Sequence, residues 1–446
     1  MFKGSKFKKA TLFVTTVSLL TLAIGFGVQR RCAAQSGGGN DYESIELFTD
    51  VLSIVKKSYV EEVDTKKLVY GAINGMLTSL DPHSSFMPPD TYKEMKIDTK
   101  GAFGGLGIEI TVKDGILTVI SPIEDTPAFK AGIQAGDQIL KIDDKFTKDL
   151  TITEAVKRMR GVKGTKVTIT IMREGFEKTK EFVLERDIIQ VKSVKFKVLD
   201  DGYGYVRISQ FQEKTDEDLV KALQSLQSDN KPLKGLVLDL RNDPGGLLDQ
   251  AVKVSEHFTE EGKLIVYTEG REKDSQMRFT SRKGNKQANY PIVVLINSGS
   301  ASASEIVAGC LQDHKRAVVL GTQSFGKGSV QTIIPMSDNS GLRLTTARYF
   351  TPSGRSIQAK GITPDILAEK VDITEAPEKK GGMMHIREKD LENHFEDKKE
   401  KDAVKEKEVK PAPYKTDEAV KSDSQVLRAL DLLKGWEILK AMGKVS

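Results

Sequence analysis

Strand-like and helix-like segments alternate between Tyr203 and Gln312, and no other feature of the sequence limits its fold as tightly. Strands are expected at Tyr203 to Ile208, Gly235 to Leu240 and Ile292 to Asn297, and helices at Asp216 to Leu226, Leu247 to Phe258 and from about Ser302 to Gln312. Such alternation builds an α/β layer, in which ligands and chemistry gather at the carboxyl ends of the strands. The loops Arg241 to Gly246 and Ser298 to Ser302 both stand at such ends.

Upstream the texture differs. From Gly101 short β-type runs follow one another, at Ile108 to Val112, Ile116 to Ile120, Ile139 to Ile142 and Val167 to Met172. One helix interrupts them, through Ala155 to Met159, announced by the capping-box pattern Thr151-Ile152-Thr153-Glu154. This reads as a compact β-rich module. Ahead of it, Phe48, Val51, Leu52, Val55 and Tyr59, then Val69, Ile73, Met76, Leu77 and Leu80, recur at helical spacing. Asp81-Pro82-His83 breaks the second of these helices, and Pro88-Pro89 starts a loop. The 446 residues, 38% apolar and 29% charged, suit two or three folded units.

The N-terminus is a targeting segment. Ala10 to Val28 is mostly apolar and uncharged, behind Lys3, Lys6, Lys8 and Lys9, an arrangement that sends the rest of the chain outward across a membrane. It serves either as a retained anchor or as a signal cleaved near Cys32-Ala33-Ala34. Between Val371 and Lys421 the chain is crowded with Lys and Glu and reads as a linker without chemistry. The tail recovers one apolar stripe, Leu427, Leu430, Leu433, Trp436 and Leu439, which has to pack on its own core or on a second subunit. A net charge of +5, much of it at the extreme N-terminus, demands no nucleic acid. Cys32 and Cys310 make no disulfide framework, and five scattered histidines without CxxC or HExxH spacing give no support for a metal site.

Three segments carry candidate chemistry. Asn297 to Glu305 sets small residues and serines between a buried strand and a helix. A hydroxyl there meets the positive end of the helix, and free first-turn amides are placed to hold an oxyanion. A serine at that place also simply caps a helix, and the pattern leaves Ser300, Ser302 and Ser304 equivalent. A serine nucleophile needs a base, and His257 and His314 fall inside or at the ends of helices, which leaves lysine. Gly321 to Gln331 is a glycine-rich loop running from the strand Ala317 to Leu320 into the apolar stretch Val330 to Pro335.

That loop satisfies GxxxxGK, the opening of a nucleotide-binding loop. Gly328 nevertheless stands where a Ser or Thr should reach Mg²⁺, and the next segment reads as a strand rather than a helix, so the nucleotide reading is rejected. In extended chain Lys327, Ser329 and Gln331 share a face, and Gln331 is set to hold the lysine amine. A basic Lys327 must be neutral, which burial achieves by lowering a free value of about 10.4. The third segment, Leu236 to Gly246, ends a buried strand in a Pro-Gly turn. Gly245 or Gly246 completes an oxyanion hole with the Ala303 amide.

With these residues in place, the chain resembles the carboxyl-terminal processing proteases, the S41 group of serine peptidases, from about Asp41 to Asp365, and its closing helix is also similar. The likeness rests on Leu80-Asp81-Pro82-His83-Ser84, Gly104-Gly105-Leu106-Gly107-Ile108, Arg241 to Gly246, Gly299 to Glu305, and Gly326-Lys327-Gly328 with Gln331. It implies Ser302 as nucleophile, Lys327 as general base, Gln331 as its orienting partner, and oxyanion donors from Ala303 and from Gly245 or Gly246. It implies a PDZ domain whose Gly105, Leu106 and Gly107 receive a free C-terminal carboxylate, with Leu106 and Ile108 shaping a pocket for an apolar last residue. Arg160, after the PDZ helix, is a candidate reporter toward the catalytic domain.

The expected fold is α/β and multidomain. Residues 1–35 are a signal peptide or membrane anchor, 36–100 a helical region, 101–190 the PDZ domain, 191–370 an S41 core of the ClpP and crotonase kind, 371–421 a charged linker and 422–446 a C-terminal helix. The function implied is an exported endopeptidase of the cell envelope, periplasmic or otherwise extracytoplasmic, without cofactor. It would act on proteins with free apolar C-termini, with or without an adaptor, as a dimer. Two other readings compete: an inactive PDZ scaffold whose Ser302 only caps a helix, and an acyl-CoA-handling enzyme on the similar core. The joint presence of Ser302, Lys327 and Gln331 argues against the first, and the export segment and PDZ module against the second.

Overall fold

The computed structural model describes residues 39–113, 115–200, 202–227, 232–284, 289–370, 387–391, 394 and 423–443. The apolar run 10–28 lies outside them; among the described residues no helix is long and apolar enough to cross a membrane. Two compact units result, residues 1–75 and 76–446. The first holds helix α1 (Gly39–Ser58) and most of α2 (Thr65–Thr78). Both follow the helical spacing of the sequence, but Phe48 and Val51 on α1, and Tyr59 just after it, are exposed.

The second unit begins with strand β1 (Ser85–Met87) and helix α3 (Pro89–Lys100), which starts on proline and ends on a left-handed Gly101. The β-rich module follows: β2 (Ala102–Gly105), β3 (Ile108–Lys113), β4 (Ile116–Pro122), the short α4 (Pro127–Lys130), β5 (Gln138–Ile142), β6 (Lys145–Phe146), α5 (Ile152–Met159), β7 (Lys166–Met172), β8 (Lys180–Glu185) and β9 (Asp187–Gln190). Strands pair in the order β3-β4-β5-β7-β8, with β6 on β5 and β2 on β9. The expected capping box is present: Glu154 N–H donates to Thr151 Oγ1 at 3.3 Å, and Thr151 N–H to Glu154 Oε2 at 2.8 Å. Val119, Ile139, Ile142, Ala155, Val167 and Ile169 close the core of this module.

The α/β layer comprises β10 (Val194–Asp200), β11 (Tyr203–Ile208), α6 (Thr215–Leu226), β12 (Gly235–Asp239), α7 (Leu248–Glu256), β13 (Leu264–Gly270), β14 (Arg278–Thr280), β15 (Ile292–Ile296), α8 (Ala303–Asp313), β16 (Val318–Gly321), β17 (Ser329–Pro335), β18 (Gly341–Phe350) and β19 (Ile366–Leu367), and α9 (Ser424–Ala441) closes it. Its main sheet is six-stranded, β10-β11-β12-β15-β16-β19, parallel from β11 onward. A second, antiparallel sheet runs β1-β18-β13-β14, with β17 against β18. The parallel strands are buried on both faces, which explains their unbroken apolar runs. Leu236, Leu238 and Leu240 pack with Leu219, Ala251 and Val307 of the helices on one face, while Val237 packs with Ala429 and Leu433 of α9 on the other.

Helix α9 corrects the expected tail stripe. Its buried face is Gln425, Val426, Ala429 and Leu433; Leu427, Trp436 and Leu439 are exposed. An 18-residue helix with apolar residues on several sides lets spacing alone choose the wrong face, and the docking of its first turns decides it. Asp423 caps α9 through the amides of Gln425 and Val426, and also accepts from the buried Arg241 at 3.0 Å.

Candidate active site

The carboxyl ends of the adjacent parallel strands β12, β15 and β16 lead into three loops, and these loops meet. After β12, Arg241 is buried and paired with Asp239 at 2.6 Å, so the loop leaves the sheet at a fixed angle. Asn297, after β15, accepts the Asn242 and Gly299 amides on Oδ1 at 2.9 and 3.1 Å, which clips the second loop to the first.

The three serines left equivalent by pattern have different surroundings. Ser300 is fully buried and donates to the Leu240 carbonyl at 2.7 Å; Ser304 is fully buried and donates to the Asp243 carbonyl at 2.8 Å. Ser302 stands at the start of α8 with φ 57° and ψ −113°, a conformation that costs a non-glycine residue free energy and persists only when its surroundings hold it. Its amide donates to Glu305 Oε2 at 2.8 Å, and the Glu305 amide donates to the Ser302 carbonyl at 2.9 Å, so the cap is made without the hydroxyl. Tyr349, on β18, stands beside that hydroxyl.

Glu305 organises the site. It is fully buried, and Oε2 accepts the amides of both Ser302 and Lys327, at 2.8 and 3.0 Å. Oε1 accepts the Ser324 hydroxyl at 2.6 Å and the Gly326 amide at 2.8 Å. Burial pushes this carboxyl up to about 7 against those donors. Tyr349, whose hydroxyl burial raises well above its usual range, donates to the Lys327 carbonyl. One carboxylate and one phenol thus span the helix start and the glycine loop, segments that no local pattern links.

Lys327 is partly buried, and burial, then Arg343, holds its amine below the ordinary lysine range; Glu388, Glu305 and Asp81 pull the other way. Among the described residues its amine makes no hydrogen bond to Ser302 or Gln331. The expected Gln331 contact is corrected: Gln331 Nε2 donates to Ser329 Oγ at 2.9 Å and to Thr345 Oγ1 at 3.4 Å. Lys327 lies before β17 begins, and a register shift between Val330 and Gln331 breaks the two-residue alternation that would have aligned them. The segment after Lys327 is a strand, as expected.

Gly245 lies against the same point. Its φ is 100°, and a Cβ there would come within 2.8 Å of Ser302 Cβ and 2.9 Å of the Ala303 nitrogen. Its amide donates to Asp243 Oδ1 at 2.9 Å, whereas Gly246 is exposed. Asp243 is itself buried, with no partner for Oδ2 among the described residues, and burial pushes it up to about 8.

This geometry meets sequence likeness of matching kind. Residues 202–368 match the model of peptidase family S41. A carboxy-terminal-processing protease of Bartonella bacilliformis is 50% identical over 398 residues, 89% of this chain and 90% of that protein. The chain belongs to the carboxy-terminal processing proteases. It is a serine-type peptidase of that family, with a PDZ domain matched at residues 104–184 and the N-terminal domain of the activating protease CtpB matched at 27–91. The carboxy-terminal processing protease CtpA of Bacillus subtilis is 38% identical over 324 residues, covering 72% of this chain and 68% of that one. A solved photosystem II D1 C-terminal processing protease is 30% identical, with a TM-score of 0.42, over 72% of this chain and 92% of that one.

In this peptidase the PDZ loop Gly105 to Ile108 joins β2 to β3, but Leu106 is turned into the module's core and its carbonyl accepts the Ala128 amide at 3.0 Å. Ile108 is half-buried. Arg160 pairs with Glu94 on α3 and lies over the Phe103 ring at 4.6 Å; Tyr92 of the same α3 packs on Gly341 of β18. His257 pairs with Asp216 at 2.6 Å and His314 meets the Leu264 carbonyl at 2.6 Å.

Sequence reasoning missed Glu305, Tyr349, Arg343 and Glu388. Of these only Glu305 left a signal, three residues after Ser302 where a capping-box acid stands.

Proposed function

We propose that this protease cuts with Ser302 as nucleophile and Lys327 as general base. Neutral Lys327 takes the Ser302 proton as Oγ attacks the scissile carbonyl. The Ala303 amide and an amide of Gly245 or Gly246 hold the oxyanion, and the lysine returns the proton to the leaving amine before water repeats the cycle. The observation that carries this reading is the Glu305 oxygen shared by the Ser302 and Lys327 amides. With no hydrogen bond from Ser302 Oγ to the Lys327 amine among the described residues and the Gly245 amide on Asp243, the arrangement described is a resting one. Rotation of Ser302 toward Lys327 and release of a glycine amide would arm it. Gln331 acts through Ser329 and Thr345 rather than by a direct bond to the amine.

The PDZ domain receives a free apolar C-terminus at Gly105 to Ile108, directly or through an adaptor, and hands the chain to Ser302, in a dimer. The apolar run 10–28 behind lysines supports export to the cell envelope. The test is cleavage of an unfolded protein with an apolar tail by the purified chain, beside Ser302→Ala and Lys327→Ala. Each variant should lose at least about 10³-fold in kcat. Parental rates in both would end the serine–lysine reading.

A further inference from the structure

The segment beyond the S41 match should be solvated throughout, by its composition, yet one of its residues is among the most buried in the molecule. Glu388 is 0% exposed and lies on a single turn, Glu388–Asp390. The turn is closed by Asp390, which accepts the Arg387 amide at 2.9 Å. Glu388 thus departs from the expectation of a linker solvated throughout. Taking a carboxylate out of water costs several kcal/mol unless partners replace the lost solvation. A turn whose Lys389 and Asp390 are exposed has little apolar surface to drive its docking. The partners of Glu388 therefore account for its place.

Those partners bracket Lys327. The Glu388 amide donates to the Phe325 carbonyl at 3.0 Å, two residues before the lysine. Its carboxylate accepts from buried Gln358 at 2.7 Å, and Gln358 Oε1 accepts the Gly328 amide at 3.0 Å, one residue after the lysine. Both carboxylate oxygens also meet His83 Nε2, at 2.6 and 2.7 Å. His83 belongs to a turn fixed by Asp81, which accepts the His83 and Ser84 amides at 2.8 Å each. Burial pushes the Asp81 carboxyl up, but the Ser84 hydroxyl, those amides and Thr345 hold it below its usual range.

We propose that Glu388 is a positioning residue for Lys327, and that residues 387–391 are a clasp in cis which fixes the glycine loop through Gln358 and His83. The inference rests on Lys327 being the base. Among the described residues, Arg343 from β18, Glu305 from α8, Asp81 from the turn after α2 and Glu388 from the clasp act on the charge of the amine. Removing the Glu388 charge leaves one carboxylate fewer to retain the lysine proton, so the acid limb of the kcat profile moves to lower pH.

The experiment compares the full chain with Glu388→Ala, Glu388→Gln and Lys327→Ala, recording kcat and KM against pH and a thermal melt of each. Glu388→Ala should lower kcat by about 100-fold through misplacement of the base, with KM within about two-fold of the parent. Glu388→Gln keeps an acceptor for Gln358 without the charge, so it should recover part of kcat and shift the acid limb downward. The clasp is overturned if Glu388→Ala keeps the parental kcat and limb. Should Glu388→Ala fail to fold, Glu388→Gln decides: a parental limb overturns the proposal and a lowered one supports it. Activity surviving in Lys327→Ala would instead remove the underlying serine–lysine reading, whatever Glu388 does.

Discussion

A lysine amine withdrawn from water beside Arg343 weakens the fold at every pH where the free amine would be charged. Its folded pKa lies below its unfolded one, so the unfolded chain binds more protons between the two, and stability rises with pH across that window. Lys327→Met keeps the stem and drops the charge. It should abolish cleavage yet raise Tm at pH 7 by about 2 °C, and melts repeated toward pH 10.5 should show the gain vanish. A gain independent of pH would mean that packing, not charge, separates the two proteins. The serine choice belongs to the same scale. Three hydroxyls in five residues look alike in sequence, because what separates them is whether Leu240 or Asp243, about sixty positions away, offers a carbonyl.

Among the elements, α9 shows how a correct helix can be given the wrong face. The expected stripe contained Leu433, which is buried at 2%, but also Leu439, which is 44% exposed. Leu433→Ala should therefore cost about 2–5 kcal/mol, while Leu439→Ala should stay within about 0.5 kcal/mol, by denaturant titration of each. Equal losses would place Leu439 against a surface this chain does not supply. The strands were far more legible than the helix face. β11 runs from Tyr203 to Ile208 as expected, and β12 and β15 end one residue short of expectation, since a strand buried on both sides is written as a continuous apolar run. Elements held by polar contacts left no such trace: the turn at Glu388 is one acid among many in a charged stretch.

Across the whole second unit, α3 touches both the PDZ module and the catalytic sheets. Arg160 meets it through Glu94, Lys157 through Asp90 at 2.8 Å, and Tyr92 carries the same helix to β18. Solvent-screened pairs of this sort add little to the fold but are enough to bias two arrangements. If the PDZ domain governs cleavage through this helix, Arg160→Ala should leave Tm and peptide affinity near parental values while abolishing any change in cleavage rate on addition of a C-terminal peptide; an undiminished change would remove Arg160 from the coupling. By itself the sequence determined the α/β layer, the β-rich module and the loops at the strand ends, because apolar periodicity, glycine and capping residues act over a few neighbouring positions. Only the tertiary structure decided that the Ser300 and Ser304 hydroxyls are spent on backbone carbonyls while the Ser302 hydroxyl is not, that Gln331 turns to Ser329, and that Glu305 and Glu388 enclose the lysine loop. Buried polar partners are chosen by geometry between distant segments, where each lost water contact has to be replaced, and no local pattern records that choice.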